Sequence, residues 1–282
     1  MNIRRAAVRG LSAPCLCAVL SAAVWTCAAT AGPTEGGGGA GAPGTGEAGM
    51  LALMNEERAR QGIAPLAWSG ELARVAMSHA ADMRIAGRAS PRSRDGSTLE
   101  DRLVDSGIRI KAAAENVAQA GDVVTAHRGL MDSKGHRANI LDPRFGHVGI
   151  GLVSDGTREG VYVVQNFAVI LPELSDAGGE ARVREAIRSA AGGGPGEIPA
   201  LSERLRREVE LLAAKDSIDV DHIHLDGGGW IGAWTGSEPG EVPRGARARL
   251  KGSGGFGLGC VFRKSGSYPL GTWWVILAVV NG

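Results

Sequence analysis

Ser133-Lys134-Gly135-His136-Arg137-Ala138-Asn139-Ile140-Leu141 is the stretch on which the fold turns. It follows a helix expected over residues 122–133 and precedes two β-rich runs, 148–153 and 161–170. A Ser-Asp-Gly turn region separates the runs, which predicts an antiparallel pair. Arg137 and Asn139 are expected to cap or brace the loop after the helix. Working upstream, a first helix is expected over 47–61, stopped by Gly62. Ser69 is placed to cap a second helix, in which Leu72, Val75, Ala76, His79, Ala80 and Met83 fall on one face. Ser97 and Glu100 have capping-box spacing for a third, ending at Gly107. Helices first and a hairpin last give an α+β layered domain.

Composition limits the function. The 282 residues carry 31 Lys+Arg against 30 Asp+Glu, a net charge of +1. That balance argues against nucleic-acid binding through bulk electrostatics. The 44 glycines are not periodic, which excludes collagen. Arg4, Arg5 and Arg9 form a basic head ahead of the apolar, alanine-rich run 11–29. Ala29-Thr30-Ala31 fits the small-x-small rule, so residues 1–31 are expected to be a secretory signal peptide cut after Ala31. The apolar run is short for a membrane anchor. Val24-Trp25-Thr26-Cys27 is a poor lipoprotein box for lipidation of Cys27, and the residues after Arg4-Arg5 are small for a twin-arginine signal. Cleavage leaves 251 residues with 28 basic and 30 acidic side chains, a net charge of −2. It also leaves Cys260 alone, so no internal disulfide forms. These features predict a secreted or periplasmic bacterial protein with no transmembrane segment in the mature chain; the run 275–280 is far too short to span a bilayer.

The mature chain divides at its glycine-rich stretches. Residues 32–46 read as a flexible linker, 47–172 as the first domain and 173–199 as a polar connector. Residues 200–282 read as a smaller α+β or β-rich domain, with a helix over 201–214. Strand-like stretches follow at 217–225, 230–234, 246–250, 256–262 and 272–280. Gly149-Ile150-Gly151-Leu152 and Gly255-Phe256-Gly257-Leu258 look alike, which raises a degenerate repeat of the first domain's sheet.

Seven segments carry a family resemblance. They are Asn55-Glu56-Glu57-Arg58, Gly62 to Trp68, His79-Ala80-Ala81-Asp82-Met83, Glu115-Asn116-Val117-Ala118, Ser133 to Leu141, Val148 to Gly151, and Gln165-Asn166-Phe167. In this order, over about residues 48–170, they resemble the CAP superfamily in its disulfide-free bacterial form. This family is also called SCP-like, or cysteine-rich secretory and pathogenesis-related (allergen V5). The resemblance implies an α-β-α sandwich with a cleft lined by two histidines and one or two glutamates. Matched position by position, it puts Glu115 and His136 in that cleft. Pro91 stands where the other histidine is usual, and the second glutamate falls at or near Ser133. Leu130 replaces the tryptophan usual in the fourth helix. The resemblance further implies ligands of the lipid, sterol or cell-envelope type.

The chemistry of this set is incomplete. A zinc site normally takes at least three protein ligands, and Glu115 and His136 supply two. A divalent metal is therefore doubtful here, and no cofactor is otherwise indicated. A Glu–His pair can do general acid–base work. Ser90 and Ser133 are nucleophile candidates by position alone, with no Gly-x-Ser-x-Gly near either. His79, on an apolar stripe, reads as a core histidine hydrogen-bonded across the helix layer, and Asn116 as part of the structural motif. Asn55 and Arg58 are expected to brace the first helix. His127 and His147 read as surface residues. Outside the resemblance, His222 and His224 would project from one face of a strand and could share a metal, against the plainer reading of a charged, exposed edge. Trp273 and Trp274 would face opposite sides of a strand, one into the core and one outward. The leading expectation is a binding module for a lipid-like or cell-envelope ligand. The alternative is a hydrolase of peptide or envelope polymer using Glu115 and His136, with or without a metal.

Overall fold

Along 161–170 the side chains alternate between two buried faces, so this strand lies inside a sheet covered on both sides. The computed structural model describes residues 24–26, 46–157, 160–192 and 196–282. They fall into two compact units that divide between Ile170 and Leu171. Of the expected signal peptide, the described part is β1, Val24–Thr26, which pairs in parallel with residues 117–119. The rest of that segment, with Cys27 and Ala31, lies outside the described residues, as does the linker up to residue 45.

The first unit continues with α1 (Gly46–Arg60), β2 (Ala67–Trp68), α2 (Gly70–Ala86), α3 (Leu99–Ser106) and β3 (Ile110–Ala120). Then come α4 (Val123–Asp132), α5 (Lys134–Ile140), β4 (His147–Ser154) and β5 (Val161–Ile170). The sheet order is β1-β3-β5-β4-β2, with β5 antiparallel to both β3 and β4. Met50 and Met54 of α1, Leu130 of α4 and Ile140 of α5 close one face over Ala114, Ala118, Val163 and Phe167. Ala76, Ala80 and Met83 of α2 close the other over Val117, Tyr162 and Val164. This is the α-β-α sandwich.

The local signals explain most of the elements. Ser69 caps α2, accepting from Leu72 N at 3.3 Å. The box that starts α3 is Thr98 with Asp101 rather than Ser97 with Glu100; Thr98 Oγ1 accepts from Asp101 N and Asp101 Oδ2 from Thr98 N. One-residue ambiguity is inherent where adjacent residues can both cap. Helix α2 approaches β4 so closely that Cβ atoms at Gly149 and Gly151 would overlap the backbone of Leu72, Ala73, Ala76 and Met77. Arg58 is fully buried and donates to four carbonyls, those of Ala64, Ile140, Asp142 and Phe145, at 2.8–3.0 Å. It thereby ties α1 to the loops on either side of the sheet's end. Asn55 exchanges two hydrogen bonds with the backbone of Leu66.

The second unit holds α6 (Asp176–Ala191), α7 (Pro199–Ala214), β6 (Gly229–Gly236), α8 (Arg244–Leu250), β7 (Ser253–Arg263) and β8 (Thr272–Asn281). Its sheet order is β6-β8-β7, antiparallel throughout. Helices α6 and α8 cover one face, and α7 covers the other. Three expectations change here. Residues 217–225 form turns and not a strand: Asp219 Oδ1 accepts from Asp221 N at 3.0 Å, a local bond that competes with pairing. Residues 246–250 belong to α8, because Ala246 and Leu250 are spaced to share one helix face and Pro243 starts the turn. Trp273 and Trp274 do face opposite sides of β8, yet both are buried, since each side carries a helix layer.

Candidate functional site

Glu115 lies in the middle of β3, opposite Asn166 of β5, which in turn lies opposite Gly149 of β4. This row runs beneath α2. The Glu115 side chain is 2% exposed, and its Oε2 accepts from Arg102 Nη2 at 2.7 Å. The Asn166 amide, turned so that both polar atoms are satisfied, donates to the same oxygen at 3.1 Å and accepts from Ala76 N. His79 Nε2 lies 4.0 Å from Glu115 Oε1. The same nitrogen is 2.9 Å from the Ser90 carbonyl, and His79 Nδ1 is 3.2 Å from Ser93 Oγ. Arg102 also donates from Nη1 to Ser93 Oγ at 3.0 Å and to the Ser97 carbonyl at 3.1 Å. One guanidinium from α3 thus pins the 87–98 loop to the sheet.

A cleft of about 540 Å³ opens above this cluster, lined by His79, Asp82, Ser93, Arg94, Arg102 and neighbours. Its walls are charged and polar. Burial pushes the Glu115 carboxyl up to about 7, against the pull of Arg102. Burial, reinforced by Arg102, lowers His79 to about 4, so the imidazole is neutral at neutral pH.

The remaining candidates sit as follows. His136 is fully buried on α5, its carbonyl accepting from Asn116 Nδ2 at 3.1 Å. Asn116 Nδ2 also donates to Gln165 Oε1, and Asn139 Nδ2 donates to Asn116 Oδ1 at 2.9 Å, so the two asparagines lock α5 against β3. Arg137 is on the exposed side of α5. Pro91 is in the 87–98 loop, next to the carbonyl that holds His79. Ser133 joins α4 to α5, with no side-chain cap bond. His127, expected at the surface, is 5% exposed: α4 turns it inward, and burial lowers its pKa. His222 lies on an exposed turn rather than a strand, 3.3 Å from Glu208 Oε2, and His224 is exposed two residues on. Cys260 is buried, and burial pushes its thiol up, away from the reactive thiolate.

A metal does not fit this donor set. Both His79 nitrogens are engaged, Pro91 has no donor, and a guanidinium already sits on Glu115. Among the described residues no group of three or more His, Cys, Asp and Glu is placed to hold an ion. Arg102 and Ser93 escaped sequence reasoning. The available signal for Arg102 was its position on the inner side of a short capped helix, one turn from the Thr98 cap.

The model of the CAP family, described as the cysteine-rich secretory protein family, matches residues 51–167. Residues 51–167 are thus similar to a CAP domain. This domain is 35% identical over 112 residues to a Bacillus subtilis (strain 168) protein described as uncharacterized protein YkwD, covering 38% of this chain and 42% of that one. It is 33% identical over 124 residues to the uncharacterized membrane protein YlbC of the same organism, covering 44% and 34%. A solved extracellular protein containing an SCP domain, from Bacillus anthracis str. Ames, is 33% identical with a TM-score of 0.38, covering 42% of this chain and 38% of that chain. The chain spans less than half the length of these curated relatives. No helix among the described residues is long and apolar enough to cross a membrane.

Proposed function

We propose that the CAP domain is an exported binding module that takes the polar part of a cell-envelope component in the cleft beside α2. The observation that carries this reading is the cleft's wall: Asp82, Ser93, Arg94 and Arg102 offer charge and hydrogen bonds, and the volume of about 540 Å³ suits a small polar group. A lipid headgroup and an envelope polymer share that chemistry, whereas an acyl chain would find little apolar wall. Export is supported by the basic head, the apolar run and the Ala29-Thr30-Ala31 site. Arg102 keeps the cleft formed without a ligand by holding the 87–98 loop, a form of preorganisation. Cosedimentation of the protein with purified cell-wall polymer and with anionic phospholipid vesicles tests the reading. Binding to one of them should weaken about tenfold or more in Arg94→Ala and Asp82→Ala. Binding to neither, or binding unchanged in both variants, overturns it.

A further inference from the structure

Ser93 and His79 form an arrangement that binding does not require. The hydrogen-bonding inventory fixes where the protons are. A guanidinium only donates, so Arg102 Nη1 gives its hydrogen to Ser93 Oγ, 3.0 Å away. A carbonyl only accepts, so the neutral His79 carries its proton on Nε2 and donates to Ser90 O at 2.9 Å. Nδ1 is then an acceptor. The hydrogen that spans the 3.2 Å between Ser93 Oγ and His79 Nδ1 must be the serine's own. The serine hydroxyl therefore points its proton at a ring nitrogen whose partner nitrogen is held by the backbone, which is the relation of nucleophile, base and orienting group.

The surrounding charges favour proton transfer in this direction. Arg102 places positive charge beside the oxygen that becomes negative. Glu115 Oε1, 4.0 Å from His79 Nε2, faces the ring that becomes positive. Ser93 and His79 both line the open cleft, so an acyl group can reach the oxygen.

We propose that Ser93 is a nucleophile with His79 as its base, and that the cleft accepts activated acyl groups whose acyl part is short or polar, namely thioesters or esters of acidic alcohols. Ser93 Oγ attacks the acyl carbon and its proton passes to His79 Nδ1. The new Oγ–C bond forms as the C–S or C–O bond to the leaving group breaks, and the leaving group takes the proton from His79. Water, giving its proton to the same nitrogen, then adds to the acyl carbon; the C–Oγ bond breaks, Ser93 Oγ takes the proton back from His79 Nδ1, and the acid is released. The low basicity of the buried His79 confines the reaction to good leaving groups.

The proposal rests on this cleft being the ligand site, and its test reads Ser93 directly. The full-length chain as secreted is treated with a fluorophosphonate probe and its peptides are mapped by mass spectrometry. A single adduct on Ser93 is expected, absent in Ser93→Ala and formed about a hundredfold more slowly in His79→Gln. Far-UV circular dichroism and the melting temperature establish that each variant is folded; Arg88→Gln, exposed in the same loop and outside the cleft lining, controls for loop disturbance and should label as the parent does. No adduct on Ser93 in the folded parent overturns the proposal. So does equal labelling of a folded His79→Gln. Labelling of Ser93 in a protein that binds no envelope component would leave the nucleophile standing and remove the binding reading alone.

Discussion

Glu115 and His79 lie 4.0 Å apart and titrate in opposite directions. The folded state raises the Glu115 carboxyl from 4.5 to about 7. Between those values the folded chain holds a proton that the unfolded chain has released, so this contribution to stability falls as pH rises. The folded state lowers His79 from 6.5 to about 4. Here the unfolded chain holds the proton, and stability falls as pH drops through that window. The two slopes oppose each other between 4.5 and 6.5. In Glu115→Gln the histidine slope stands alone. Acidification across that window should then cost the variant up to about 1.4 kcal/mol per pH unit relative to the parent. Urea unfolding of both proteins at the two ends of the window measures this, and parallel profiles would refute it. The depressed aspartates, such as Asp95 and Asp101, titrate in both proteins and cancel in the difference.

At the scale of elements, both units solve one problem in the same way. A helix must lie close on a sheet, and alternate glycines on the strand beneath make room. Gly149 and Gly151 of β4 receive α2, while Gly257 and Gly259 of β7 receive α7, with Gly259 against the backbone of Leu205 and Arg206. In each unit the middle strand of the antiparallel trio is the last in sequence, β5 or β8. Of the two Gly-x-Gly-Leu segments, the first holds both seating glycines of its strand and the second only Gly257, so their likeness is partly that of helix seats. Gly151→Ala and Gly259→Ala should each destabilise the protein by about 3 kcal/mol, because a methyl there meets main-chain atoms that cannot rotate away. A loss below about 1 kcal/mol in urea unfolding of either variant would show that the helix can lift without cost. The strand least visible in the sequence is β3: Lys111-Ala112-Ala113-Ala114-Glu115-Asn116 has little β-propensity, and pairing with β5 over its whole length decides its state. Helix α5 stands where the sequence predicts a loop, since its seven residues show no periodicity, and it is held instead by Asn116 and Asn139.

At the scale of the whole molecule, each unit has its own sheet, helix layers on both faces and a filled core. Cys260, the one cysteine among the described residues, is free; the second unit is braced by the half-buried Glu180–Arg184–Arg206 cluster, with Glu197 bridging to Arg184 at 2.6 Å. Produced separately, residues 46–170 and 171–282 should each give one cooperative unfolding transition and a near-ultraviolet circular dichroism signal. A piece without such a transition would show that its core depends on the other.

By itself the sequence determined the order of helices and hairpin, the apolar stripe of α2 with its Ser69 cap, and the family motifs in their order. These are local signals, written in periodicity, capping and the spacing of a few residues. Only the tertiary structure decided that β3 is a strand, that both tryptophans of β8 are covered, and that residues 217–225 turn instead of pairing. It alone gathered His79, Ser93, Arg102 and Glu115, which come from a helix, a loop, a second helix and a strand. The reason is physical. A cap or a stripe is stabilised within a few residues of itself, whereas a buried charge exists only where separate elements close around it and supply its partner.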